Sequence, residues 1–449
     1  MKLFFLFSLC CASLFAYAQR AVCNIGRFSF ESGVITVLNK PWELYWNKFY
    51  DPKDFREGLV PAPDLLATPS SWNDLVVNGR KCGSYGYCTY RLLLTDLPAT
   101  ALMLDIYSMQ TASRVFVNGN MVAEVGRPGS GKETSVPVNR DVQVILPVAD
   151  SIEIIVQASN FHHRKGGFVH PFEVGTPDAI TKKHTLFYLL DAVESAALSI
   201  IGFFLLALYV FRRKDLSVLY FSLFCITLSL RPVISVNYLL AWLMPGISWA
   251  FMLKLEYLGV IFPCLFMTLF IKKLFPAQLP LFIVKSFLIL FVVMAVITVL
   301  FPPSVFSWLV PLLLVLIPAG ICFFVYAIVK AVIAKVEGAN YAGIGVIVLF
   351  ISLILKVLSY AGIIPAMHVV ITALDIGFIF MMSLILGSRF SLQFVKVETL
   401  QQELEQQKGI LEEKNKSITD SITYARRIQS SLMPSAKYIE RVLRKLNRN

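Results

Sequence analysis

Residues Leu186–Lys214 read LFYLLDAVESAALSIIGFFLLALYVFRRK: a long apolar run, broken only by Asp191 and Glu194, that ends on three cations. A run of this length crosses a hydrocarbon layer of roughly 30 Å as one helix, and the basic triplet marks where it stops. The pattern then repeats. Seven spans are legible, at 186–211, 216–240, 251–271, 281–300, 308–329, 341–363 and 367–388. The breaks alternate in charge. Arg212-Arg213-Lys214, Lys272-Lys273, Lys330 with Lys335, and Arg389 with Lys396 fall on one side. The other loops, around Met244-Pro245-Gly246, Pro302-Pro303-Ser304 and Ile364-Pro365, carry no charge. By the positive-inside rule the first span runs from outside to inside, and the C-terminus is cytoplasmic.

The composition agrees. Of 449 residues 56% are hydrophobic and only 16% charged, with a mean hydropathy of +0.67, which excludes a wholly soluble protein. The abundance of Phe, Tyr and Trp excludes disorder. The net charge of +12 is mostly topology: the cytoplasmic side holds 20 Lys and Arg against nine Asp and Glu, so it calls for no nucleic acid.

Upstream, Met1–Ala18 has Lys2, an apolar run and Ala16-Tyr17-Ala18, which reads as a signal peptide cut before Gln19. Residues 19–180 then read as an extracytoplasmic all-β sandwich or jelly roll. Short alternating runs at 33–38, 89–94, 101–107, 113–117, 142–146 and 152–157 are punctuated by turns such as Asn118-Gly119. Such a compartment permits disulfides, and Cys82 and Cys88 are candidates to bridge the loop between them. Downstream, residues 390–433 carry an apolar seam through Val397, Leu400, Leu404, Leu411 and Ile418, with polar Gln407 and Lys414. After a stutter it resumes at Ile422, Ala425, Gln429 and Leu432. A helix of about 40 residues, pairing with its copy as a coiled coil, is expected, followed by a basic tail at 434–449. A solvated single helix is the competing reading.

Catalysis finds little support. No Gly-x-Ser-x-Gly, His-Glu-x-x-His, phosphate loop or metal-ligand spacing appears, so neither cofactor nor metal is expected. Ligand recognition finds more. Trp72, Tyr85 and Tyr87 lie in an aromatic-rich stretch, and Asn160, His162, His163 and Arg164 follow the last strong strand. Aromatic faces with Asn, His and Arg donors suit a sugar or another polar ligand. The competing reading makes these rings sandwich core and the 160–167 loop a brace.

The order of leader, β-sandwich, seven spans and cytoplasmic helix resembles the bacterial seven-transmembrane receptors with diverse intracellular signalling modules. Trp42-Glu43-Leu44-Tyr45-Trp46, Val117-Asn118-Gly119 and Ser159-Asn160-Phe161 are similar to that family's jelly-roll sensors, which resemble carbohydrate-binding modules. Residues Ile418–Pro434 look like the linker preceding serine phosphatase modules, with no catalytic output domain after it. The resemblance implies a receptor of the inner membrane, with a periplasmic sensor, a carbohydrate or protein ligand, lipid around its spans, a homodimer through the coil and a cytoplasmic signalling partner.

Charges inside spans are expensive and point to function. Counting along the helices allows two opposite-sign pairs, Glu194 with Arg231 and Lys356 with Asp375. Two other functions compete with the receptor. One is a transporter or channel with an accessory outer domain, for which no inverted repeat is evident although Arg231-Pro232 marks one interruption. The other is a carbohydrate-active enzyme, for which Asp105 and Glu124 are the carboxylates to test.

Overall fold

The computed structural model describes residues 21–26, 30, 33–213, 215–235, 240, 244, 246–336, 339–360 and 367–447. The signal peptide read at 1–18 lies outside them. The chain divides into two units, residues 1–383 and 384–449.

The first unit opens with β strands: β1 (Val22–Asn24), β2 (Thr36–Val37), β3 (Trp42–Trp46), β4 (Leu65–Ala67), β5 (Val76–Val77), β6 (Arg80–Lys81), β7 (Gly86–Thr95), β8 (Met103–Ile106), β9 (Ala112–Val117), β10 (Asn120–Val125), β11 (Val142–Ile145), β12 (Ser151–Asn160) and β13 (Glu173–Gly175). A larger sheet takes the order β10-β9-β12-β7-β3-β4, with β1 parallel beside β7; a smaller one runs β11-β8-β13-β2. Alternation explains the layering. Cys88, Tyr90, Leu92 and Leu94 of β7 and Ile152, Ile154, Val156 and Ala158 of β12 are buried on one face, with Leu104, Ile106 and Val174 of the smaller sheet in the same core. The larger sheet's other face is polar. There Arg91 bridges Glu43 and Glu153 at 3.3 and 2.6 Å, and lies over Phe55 of the short helix α1 (Pro52–Arg56).

Asn118 and Gly119 both take positive φ (47° and 86°) between β9 and β10, the two-residue turn expected from Asn-Gly. The strand runs at 89–94 and 152–157 extend further than their hydropathy suggests, to ten residues each. They pair with one another along their whole length, so even polar Ser159 and Asn160 belong to the ladder.

Among the described residues seven helices are long and apolar enough to cross a membrane: α2 (Pro177–Arg212), α3 (Leu216–Ser235), α4 (Trp249–Leu274), α5 (Leu281–Leu300), α7 (Val310–Ile333, preceded by the single turn α6, Pro303–Phe306), α8 (Ala339–Tyr360) and the first part of α9 (His368–Leu432). The chain is thus a multi-pass membrane protein with a β-rich N-terminal region. Helix α2 begins well before its apolar run, because Thr176 caps it through the Ala179 N–H and Pro177 supplies a preset φ. Gly202 lets α2 close on α3: a Cβ there would meet Ile226 at 2.7 Å.

In the second unit the polar stretch after 389 is helical to Leu432, with Leu400, Leu404, Leu411 and Ile418 exposed. The segment read as a basic tail contains a further helix, α10 (Ala436–Leu446), capped by Ser435. Its apolar residues Ile439, Val442, Leu443 and Leu446 recur at helical spacing, a signal obscured by the basic residues between them.

Candidate functional site

The loop after β12 is held from within. Asn160 is fully buried. Its Nδ2 donates to the carbonyls of Ser84, His163 and Lys165 at 2.7, 2.7 and 2.9 Å, and its Oδ1 accepts from the backbone of His163 and His162. Asn73 repeats the arrangement: Nδ2 donates to the Arg164 carbonyl at 2.8 Å, and Oδ1 accepts from Gly166 N–H at 3.1 Å. Gly166 is required here, since a Cβ would come within 2.4 Å of the Trp72 indole.

Trp72 is itself core, 0% exposed and edge-on to Trp46. The structure therefore does not present Trp72, Asn160 and His163 as an open recognition face; all three brace the loop. Burial, with Arg164 and Lys165 nearby, holds the His163 imidazole down at about 4. Tyr85 is exposed, while Tyr87 packs against Phe49. His162 and Arg164 turn to the spans: the His162 ring meets Trp249 at the start of α4, and Arg164 N–H donates to Ser307 Oγ.

A second junction forms where the smaller sheet meets α2. Asp105 on β8 pairs in register with Gln143 on β11 and Glu173 on β13, so the three side chains form a row across one face. Two consecutive residues of α2 meet that row. His184 Nε2 lies 2.8 Å from Asp105 Oδ2, and Lys183 reaches Glu173 and donates to Tyr107 Oη at 2.6 Å. Gln143 completes Asp105 at 2.9 Å. Burial raises the Asp105 carboxyl, but the hydrogen bonds of His184 and Gln143 with the charges of His184 and Lys183 outweigh it and leave it below its ordinary value. Beside it, burial pushes Asp141 up to about 6 against the Ser108 N–H that it accepts. An Asp-His-Lys-Glu cluster with this little exposure ties the orientation of α2 to the strands beneath it.

Within the spans, Lys356 Nζ lies 2.6 Å from Asp375 Oδ2, and Ser352 Oγ donates to Asp375 Oδ1, joining α8 to α9. Glu194 has Asp375, Lys356, Asp191 and Arg231 as electrostatic neighbours. Arg231 also acts on Glu256 of α4, a half-buried carboxylate inside an apolar run.

Cys82 and Cys88, the pair expected to bridge their loop, are both free thiols in this structure. Cys88 sits in β7 between Trp46 and Ala158, facing the core, whereas Cys82 follows β6 at the rim. Burial raises both, Cys82 to about 11. The two carboxylates considered for glycoside cleavage are engaged on different sheets: Asp105 as above, and Glu124 with Arg114 at 2.5 Å. Among the described residues no group of three or more His, Cys, Asp or Glu is placed to hold a metal ion.

Residues 187–389 match the family described as 7TM diverse intracellular signalling. Solved structures similar to part of the chain include a Ruminococcus gnavus beta-glucuronidase (16% identity, 31% of this chain and 28% of that chain, TM-score 0.24). Others are a GH2 beta-galacturonidase from Eisenbergiella tayi (12%, 32% and 24%, 0.23) and a putative beta-galactosidase from Bacteroides fragilis (19%, 31% and 23%, 0.24). The chain thus spans about a quarter of these proteins' lengths. No curated protein matches it significantly.

Proposed function

We propose that this protein, whose residues 187–389 match the 7TM diverse intracellular signalling family, is a non-enzymatic receptor whose β domain receives the signal and whose C-terminal helix delivers it. The observation that carries the mechanism is the ionic joint of Lys183 and His184 with Glu173 and Asp105. A ligand that favours one arrangement of the smaller sheet moves two anchors of the first membrane helix together. It biases the bundle by its unequal affinity for the two states.

In this reading the β domain is a periplasmic jelly-roll sensor for a carbohydrate, another small ligand or a partner protein. Tyr85, Tyr87, His162 and Arg164 are its contact residues, and Trp72, Asn160 and His163 shape the loop that carries them. The bundle lies in the inner membrane with lipid around it. Its two intramembrane charge sets, Glu194 with Arg231 and Lys356 with Asp375, hold the spans in one of two packings. The exposed seam Leu400–Leu404–Leu411–Ile418 pairs with a second copy, and the paired helices act on a cytoplasmic signalling protein.

The test uses full-length protein in nanodiscs, with single cysteines placed at Leu404 and Leu411 in a background where the native thiols are removed. Disulfide trapping of the two positions reports pairing. A glycan and small-molecule thermal-shift screen supplies the ligand. Ligand-dependent change in trapping supports the receptor; no trapping at either position under any condition refutes the output half of it.

A further inference from the structure

Helix α9 ends at Leu432, where Met433-Pro434 interrupts the chain: the proline ring removes a backbone N–H and disfavours helical backbone at the residue before it. Ser435 then starts α10 afresh, its Oγ accepting from the Tyr438 N–H at 3.3 Å. At the other end Arg444 and Lys445 lie in the last turn, where cations suit the helix dipole, and Arg444 reaches back to Glu440 at 3.2 Å. A helix of 11 residues is marginal in water on its own, and these devices favour it before any partner arrives.

The surface of α10 is divided in two. Ile439, Val442, Leu443 and Leu446 occupy positions i, i+3, i+4 and i+7, so they form one stripe, and all four are exposed. The opposite face carries Lys437, Arg441, Arg444 and Lys445 against the single carboxylate Glu440. That apolar spacing is the one by which an amphipathic helix seats in a groove of another protein, and the cations call for carboxylates at the groove's rim. A bilayer fits less well. The stripe has no Trp or Phe, the rings that seat helices at a lipid interface, and roughly 65 Å of helix separates Arg389, at the cationic end of the last span, from Leu432. A second copy of α10 also fits less well, since it brings a like-charged surface and no rim of carboxylates.

We propose that α10 is a docking helix for a soluble acidic protein of the cytoplasm. Ile439, Val442, Leu443 and Leu446 enter an apolar groove of that protein, and Lys437, Arg441 and Lys445 meet Asp and Glu side chains on its rim. The pairing seam of α9 and the docking stripe of α10 are then separate parts, joined at Met433-Pro434. The signalling consequence rests on the receptor reading; the docking itself does not.

The experiment places the photocrosslinking residue p-benzoylphenylalanine in the full-length protein in its host cells, at Val442 or Leu443 on the stripe and at Arg441 or Arg444 on the other face. Adducts from 442 and 443 should outnumber those from 441 and 444. The captured protein is identified by mass spectrometry, purified, and titrated against full-length protein in zwitterionic nanodiscs. Its adduct sites should lie among apolar residues flanked by Asp and Glu. Val442→Ala with Leu443→Ala, which keeps helix propensity while removing the anchors, should weaken binding roughly tenfold or more. Arg441→Glu with Lys445→Glu, which keeps the stripe, should do the same, and raising salt from about 0.05 to 0.5 M should weaken wild-type binding several-fold. Adducts to lipid alone, adducts to residues 436–446 of a second copy alone, no adducts from the stripe, or a captured protein indifferent to both double variants overturn the proposal. Disulfide trapping at Leu404 and Leu411 separates the two readings. Docking through α10 with no ligand-dependent change in trapping keeps the docking helix and removes its signalling consequence. A ligand-dependent change with no docking through α10 does the reverse.

Discussion

Asn160→Ala should loosen the whole 160–167 loop. The side chain makes five hydrogen bonds, of which the two with His163, at 2.7 and 3.0 Å, are fully buried; water can replace the other three in part. Leaving a buried carbonyl and a buried N–H unmet costs about 1–3 kcal/mol each, so the change should cost about 4 kcal/mol in all. Hydrogen exchange of the Gly166 amide is the reporter, because that N–H bonds to Asn73 rather than to Asn160 itself. A loss of about 4 kcal/mol lowers its protection by roughly three orders of magnitude where local opening governs exchange. Asn160→Asp should be no milder, since it turns the donor toward three carbonyls into a second acceptor. If Gly166 protection in Asn160→Ala stays within twofold of wild type while ligand affinity falls, the bracing role is refuted and Asn160 is a contact residue.

The other expectations concern the two charge clusters and pH. His184→Ala strands the buried Asp105 carboxylate and should cost about 3–5 kcal/mol in denaturant unfolding of the detergent-solubilised protein; adding Asp105→Asn should recover much of it, and simple additivity would refute the coupling. Asp141, held up to about 6, keeps a proton that the unfolded chain has released, so between about pH 4 and 6 its contribution falls as pH rises. His163, held down to about 4, is neutral where the unfolded chain is protonated, so between about pH 4 and 6.5 its contribution rises with pH. The two slopes oppose; Asp141→Asn should expose the rising one, at most about 1.4 kcal/mol per pH unit, and an unchanged profile in that variant refutes the assignment. In the spans, Lys356→Asp and Asp375→Lys should each lower thermal stability and together restore most of it, while a double variant no better than the singles removes the pair from the packing argument.

The membrane part was legible because a hydrocarbon layer imposes its thickness on the sequence, and the alternating charge of Arg212–Lys214 and the Pro302–Ser304 loop follows from one rule. Within the β domain, alternation placed the long strands but not β13 or β1. Three residues such as Glu173–Gly175 are too short for a period, and their pairing depends on strands far away in the chain. The junction was illegible for a related reason. Lys183 and His184 look like an ordinary polar flank of an apolar run, and Asp105 like a lone strand carboxylate; only the register of β8 with β11 and β13 sets them against one another. Asn160 and Trp72 show the opposite ambiguity, since the residue types that suit a sugar also close a turn over a core.

The parallel pairing of β1 with β7 has a consequence for biosynthesis. Val22–Asn24 precede the other described strands in synthesis, yet their partners Leu93–Thr95 come far later, and the other flank of β7 is filled by β12, at residues 151–160. This strand therefore waits for its partner while about half of the domain is made, because closing so long a loop precedes any reward from its contacts. Cys23, nearly inaccessible once folded, spends that interval as an open thiol alongside Cys82 and Cys88. A core sealed by a strand whose partner lies so far downstream leaves its thiols open to wrong pairing until β7 is in place, so folding of this domain should be sensitive to redox conditions during synthesis.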